Sequence, residues 1–139
     1  MQGVVELRIP PRPEHLALVR LVVERTAAVD ADVPPRRVDD LRLAVSEACA
    51  NAFDALATAG SEAPVEIWIE ARAGILAVTV TDHAGGFDLD ALEPIPPATH
   101  PSRLRHERGL GISIMRSLVD EVTFTRTGDG TTVRLVVHT

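Results

Sequence analysis

The chain of 139 residues has no lysine and no tyrosine, one cysteine and one tryptophan. Each scarcity excludes something. With Cys49 alone, neither an intrachain disulfide nor a thiolate-rich metal site can form, and its place among alanines marks it as a small core residue. Aromatic residues make up 3%, too few for the stacking platforms that bind single-stranded nucleic acid. The formal net charge of −6 argues against a broad basic surface for nucleic acid, which needs clustered Lys and Arg. A small nucleotide stays open, because backbone N–H groups and a metal can hold its phosphates. Without lysine, any side-chain cation on a phosphate must be arginine. No stretch approaches the ~20 apolar residues of a membrane span. The opening "MQGVVELRIP" has no basic segment followed by an apolar run, so no signal peptide is expected. These absences predict a cytoplasmic protein that uses neither membrane nor direct nucleic-acid contact.

What is present suffices for one domain, 1–139, with 45% apolar residues to build a core. "VVELRI" (4–9) alternates as a strand does and stops at Pro10-Pro11. Leu16, Val19, Val22, Val23 and Ala27 recur at helical spacing between Glu14 and Val29. A second helix is predicted from 35 to 59. Pro34 and Pro35 open it, Val38, Leu41, Val45, Ala48, Ala52 and Leu56 form its buried face, and Gly60 stops it. "VEIWIEA" (65–71) and "ILAVTVTD" (75–82) read as two strands joined near Ala73-Gly74. Periodicity then fails from Leu89 to about Arg108, a segment holding Pro94, Pro96, Pro97 and Pro101, and a stretch of that length is usually functional or disordered. "GISIMRSLVDEV" resumes a helix, and "VTFTRT", Gly128-Asp129-Gly130 and "TTVRLVVHT" close the chain as a hairpin. The order β-α-α-β-β-loop-α-β-β predicts an α+β two-layer sandwich, a mostly antiparallel sheet covered on one face by helices.

Three segments can carry chemistry. In "VSEACANAFDAL", Glu47 and Asn51 lie one helical turn apart and point the same way. In "TDHAGGFD", Asp82 ends an apolar strand and is followed by Gly85-Gly86, which can let a ligand approach the backbone. In "RGLGISI", two glycines precede a helix, as at N-termini that receive phosphate. Singly, each also reads as a solvated pair, a plain turn and an ordinary helix start. His83, His100 and His106 match no common zinc spacing. Trp68 reads as a core residue or as an exposed aromatic on the open sheet face, and His15 as solvent-exposed.

Taken in order, the segments resemble the Bergerat-fold (GHKL) ATPases, and within them the bacterial anti-sigma factor serine/threonine kinases. "RLAVSEACANA" is similar to their N-box, "VTVTDHAGGFD" to the first glycine box, "RGLGISIMRSLVDEV" to the second and "GDGTTVRLVV" to the last hairpin. The resemblance implies ATP and Mg2+ as ligands. Asn51 would bind the metal, and Glu47 would act as general base. Asp82 would accept from the adenine amino group, with Gly86 letting the base lie against the backbone. Gly109 and Gly111 would free N–H groups for the phosphates, Arg108 would pair with the terminal phosphate, and Thr131 would sit near the adenine end. Residues 89–108 would form an ATP lid. The resemblance further implies a homodimer that holds a sigma factor off RNA polymerase and phosphorylates a STAS-domain anti-anti-sigma factor.

Two positions depart from the family pattern. Ala84 stands at the first glycine of the usual Asp-x-Gly-x-Gly, where a left-handed backbone would cost about 1 kcal/mol. Ala55, preceded by Asp54, stands where close relatives often carry histidine. These departures keep a second reading open, a non-catalytic Bergerat-fold regulator that acts by protein binding alone. Label transfer to a partner marks the kinase, and partner binding without nucleotide dependence marks the regulator.

Overall fold

Alternation along the strands decides which way the sheet faces. In the computed structural model, which describes residues 3–30, 32–84 and 107–139, β2 (Val65–Arg72) buries Val65, Ile67, Ile69 and Ala71. The next strand, β3 (Ile75–Asp82), places Val80 opposite Ile67 and Val78 opposite Ile69. Directly opposed residues share a face, so Leu76, Val78, Val80 and Asp82 belong to the buried side. With β1 (Gly3–Ile9), β4 (Glu121–Thr127) and β5 (Gly130–His138), the described strands form one antiparallel sheet in the order β1-β2-β3-β5-β4. The opposite face carries Glu6, Trp68, Thr79 and Arg134 side by side in register, and Trp68 is 38% exposed there. Of its two readings, the open-face one holds.

Helices cover the buried side. A 3-10 turn, Pro13–His15, leads into α1 (Leu16–Asp30), so the first helical turn is tighter than the spacing predicts. His15 is half-buried there and its Nδ1 lacks a hydrogen-bond partner, a correction to its solvent-exposed reading. α2 (Pro35–Ala59) has the predicted bounds, and all six predicted face residues are buried. It ends in a Schellman turn. Gly60 takes the left-handed conformation (φ 66°), its N–H donates to the Ala57 carbonyl at 3.1 Å, and the Ser61 N–H donates to the Leu56 carbonyl at 2.9 Å. Cys49 is fully buried, and desolvation pushes its thiol up to about 12. It therefore stays protonated and unreactive at neutral pH. Among the described residues no helix is long and apolar enough to cross a membrane.

α3 (Glu107–Leu118) starts four residues before the predicted Gly111. Two glycines cost a helix about 1 kcal/mol each against alanine. The packing of Met115, Ile112 and Leu118 against the core outweighs that preference. α3 lies on α2, and its C-terminal end is tied down by charge. Arg37 Nη1 donates to the Leu118 carbonyl at 3.0 Å, and Nη2 pairs with Asp120 Oδ2 at 2.9 Å. Asp120 Oδ2 also accepts the His138 N–H at 2.7 Å. That backbone N–H is the largest influence and holds the Asp120 carboxyl below its ordinary 3.8; desolvation opposes it, and the hydrogen bond and charge of Arg37 add to the lowering. A depressed native pKa adds stability above the ordinary value and loses it as pH falls through the native one. Urea unfolding of the Asp120→Asn variant and the wild type should therefore differ most near neutral pH, and the difference should shrink below about pH 3.8. A constant gap down to pH 2 to 3 would show that the carboxylate charge contributes nothing.

Candidate nucleotide site

Glu47 and Asn51 occupy adjacent turns of α2, flanked on one side by the buried Ala44, Ala48 and Ala52. Both are half-buried, so they form the rim between the core and solvent. Neither side chain hydrogen-bonds or ion-pairs with another residue of the described structure. A carboxylate and a carboxamide held without partners beside an apolar layer are free to engage something else.

Asp82 is the one buried carboxylate among the described residues, at 6% exposure. It sits at the last position of β3, on the helix-covered side, where Leu76, Val78 and Val80 precede it on the same face. Its Oδ1 accepts the Ala84 N–H at 3.1 Å. Burying a carboxylate is costly unless its oxygens are bonded, and among the described residues Oδ2 has no such partner and can accept from a ligand. Thr131 is its cross-strand partner on β5, and Arg126 on β4 is in turn the partner of Thr131. The three side chains therefore form one row on the helix-covered side, at the end of the sheet where β3 stops and the β4–β5 hairpin turns.

Gly130 makes this end of the sheet possible. A Cβ there would overlap the Asp82 carbonyl oxygen and lie 2.8 Å from the Asp82 carbonyl carbon and 3.0 Å from His83 Cα. Only a residue without a side chain lets β5 start this close to the end of β3. Ala84, the departure from the glycine pattern, is not strained. None of the described non-glycine residues has a positive φ, and Ala84 packs against the core while its N–H orients Asp82.

The second glycine segment differs from its predicted placement. Arg108, Gly109 and Gly111 lie inside α3, as its second, third and fifth residues. Gly109 is within the first turn, whose N–H groups have no helical partner, whereas Gly111 lies beyond it, where N–H groups join the helix ladder. Gly86, His100, His106 and residues 89–106 of the expected lid lie outside the described residues; 107 and 108 are helical. His83 is exposed, 3.6 Å from Glu66. Sequence reasoning missed two members of the site, Gly130 and Arg126. The signal for the first was the second glycine of Gly-Asp-Gly, read as the turn of the closing hairpin and not as a point of close approach to β3. For Arg126 the signal was its inward phase on β4, which alternation alone does provide.

An α+β sandwich with a polar pair on the central helix and a buried acid at a strand end is the architecture of histidine kinase-like ATPase domains. The chain belongs to that family, which it matches over residues 9–137. It is 32% identical over 138 residues to the Serine-protein kinase RsbW of Bacillus velezensis, covering 96% of this chain and 84% of that one. With the Serine-protein kinase RsbW of Staphylococcus epidermidis it shares 30% over 146 residues, 99% of this chain and 87% of the other. The crystal structure of the RsbU and RsbW domains of Rv1364c from Mycobacterium tuberculosis has the same fold, with a TM-score of 0.70 over 97% of this chain at 16% identity. The chain spans 31% of that longer protein.

Proposed function

We propose that the chain is an ATP-dependent serine/threonine protein kinase that also serves as an anti-sigma factor. The observation that carries the nucleotide reading is Asp82, a buried carboxylate with one described hydrogen bond, opposite Thr131 and on the same side of the sheet as Glu47 and Asn51. An ionised carboxylate only accepts hydrogen bonds, so its Oδ2 suits the adenine amino group and rejects the carbonyl that guanine presents there. Thr131 lies beside it, and Gly86 would let the base rest on the backbone.

The donor set fits Mg2+ shared with phosphates. Among the described residues no group of three or more His, Cys, Asp or Glu could hold a metal by itself. Asn51 offers one hard oxygen, and a magnesium ion bound through few protein ligands takes the rest from phosphates and water. Bound Mg2+ supplies charge neutralisation across the phosphate oxygens. Gly109, in the first turn of α3, would offer its N–H to the phosphates, with Gly111 beside it, and by the family resemblance Arg108 would pair with the terminal phosphate. The family resemblance would make residues 89–108 a lid over the nucleotide. Glu47, one turn from Asn51, accepts the proton of the acceptor hydroxyl as that oxygen bonds to the γ-phosphorus. The bond to the β–γ bridging oxygen breaks, and ADP leaves.

The relatives named as serine-protein kinases support serine as the acceptor. The family resemblance supplies the rest: a sigma factor bound and released, and a STAS-domain anti-anti-sigma factor as phosphoryl acceptor. It also supplies a homodimer through β1 and α1, where Val4, Leu18, Leu21 and Val29 are exposed. The test is calorimetry with Mg·ATP on the wild type, Asn51→Ala and Asp82→Asn. Micromolar binding by the wild type, lost in both variants, is expected. No heat at millimolar ATP from folded protein would sink the kinase and leave the protein-binding regulator.

A further inference from the structure

Arg37 is the third residue of α2, at the helix end where the backbone dipole disfavours a cation. Its Nη1 lies 3.6 Å from Asp40 Oδ2, one turn on in α2, and its shorter bonds go to other elements. It donates to the carbonyl of Leu118, the last residue of α3, and pairs with Asp120, which holds the His138 N–H at the end of β5. The start of α2, the end of α3 and the end of β5 thus meet on one planar fork, and Asp120 N–H closes the group by donating to the Val136 carbonyl at 2.9 Å. The last carbonyls of a helix need partners, and a local glycine can supply the turn that satisfies them. A cap delivered by another helix does more, because it also fixes where the capped end lies. A cation near a helix N-terminus whose shortest bonds go to two other elements marks a place where position matters.

α3 has twelve residues, a rod of about 18 Å. Its foot is held at Arg37, and its other end carries Gly109 and Gly111. Counted from Arg37, twelve residues of α2 reach Ala48, between Glu47 and Asn51, so this stretch of α2 is as long as α3. We propose that Arg37 is a positioning residue for the nucleotide site: by fixing the foot of α3 against α2, it sets where the glycine-bearing turns of α3 stand relative to Glu47 and Asn51. This inference rests on the nucleotide site proposed above.

Calorimetry on the full chain with two ligands tests it: Mg·ATP, and adenosine, which has no phosphates to meet α3. Arg37→Ala should raise the Kd of Mg·ATP about tenfold, within the usual range of coupling between sites. The Kd of adenosine should stay within about twofold, the scatter expected of independent positions. Arg37→Lys keeps the charge without the planar fork and should fall between the two. A lower Tm with both Kd values unchanged, or equal weakening of both ligands, would show a merely structural clasp and overturn the inference. If Arg37→Ala does not fold, Arg37→Lys and Asp120→Asn decide: an unchanged ratio of the two Kd values in both overturns it. Failure of the wild type to bind Mg·ATP would remove the nucleotide site itself, whereas wild-type binding with unaltered variant ratios removes only the role of Arg37.

Discussion

Glu47→Gln should leave Mg·ATP binding within a few-fold of the wild type while lowering phosphoryl transfer to a serine-bearing acceptor by about 10²–10⁴-fold, the usual contribution of a positioned general base. The substitution keeps shape and hydrogen-bonding reach but cannot take up a proton at neutral pH. Glu47 is half-buried, with no ion pair or hydrogen bond in the described structure, so folding should change by no more than about 0.5 kcal/mol. That separation makes the variant informative, because a lost rate cannot be blamed on a lost fold or a lost ligand. Single-turnover label transfer at saturating ATP gives the rate. Transfer at the wild-type rate would remove Glu47 from the chemistry and return the pair with Asn51 to a solvated helix rim.

The second large effect is expected at Gly130→Ala. The added Cβ would meet the Asp82 carbonyl oxygen and approach the carbonyl carbon to 2.8 Å and His83 Cα to 3.0 Å. These are backbone atoms, so no rotamer change relieves the overlap; either β5 or the end of β3 must move. Overpacking of this kind costs about 1–3 kcal/mol, and the moving segment carries Asp82. Mg·ATP affinity should fall about tenfold or more, which corresponds to about 1.4 kcal/mol. Gly128→Ala is the matched control. It lies in the same hairpin, has ordinary backbone angles, and a Cβ there meets nothing within 4 Å. Thermal unfolding and calorimetry on the pair separate local clash from general hairpin sensitivity. If Gly130→Ala loses stability but keeps its ATP affinity, the close approach of β5 does not set the position of Asp82.

The elements bounded by strong local punctuation were legible in the sequence. Pro35 and Gly60 delimit α2 at both ends, and the alternation from Ile75 to Asp82 delimits β3. The α+β sandwich followed from their order. The start of α3 was not legible, because its glycines argue locally against a helix that tertiary packing then imposes. Of the site, the pairing of Asp82 with Thr131 is visible only once the register of β3 on β5 is known. The clasp of Arg37 on Leu118 joins residues 81 apart in the chain, and no periodicity in either segment announces it. The close approach at Gly130 is likewise a contact between two strand ends, invisible to a reading that treats Gly-Asp-Gly as a turn alone. Local signals specify elements; partners across the sheet specify the site.

The single tryptophan ends up on the face of the sheet turned away from the helices. Its emission is therefore an optical label for that face alone. A protein that lies down on the open strands desolvates the indole and shifts its spectrum, whereas a nucleotide seated between helix and sheet is separated from it by the thickness of the sheet. Intrinsic fluorescence thus distinguishes, without any added dye, the two kinds of encounter on opposite sides of one polypeptide layer.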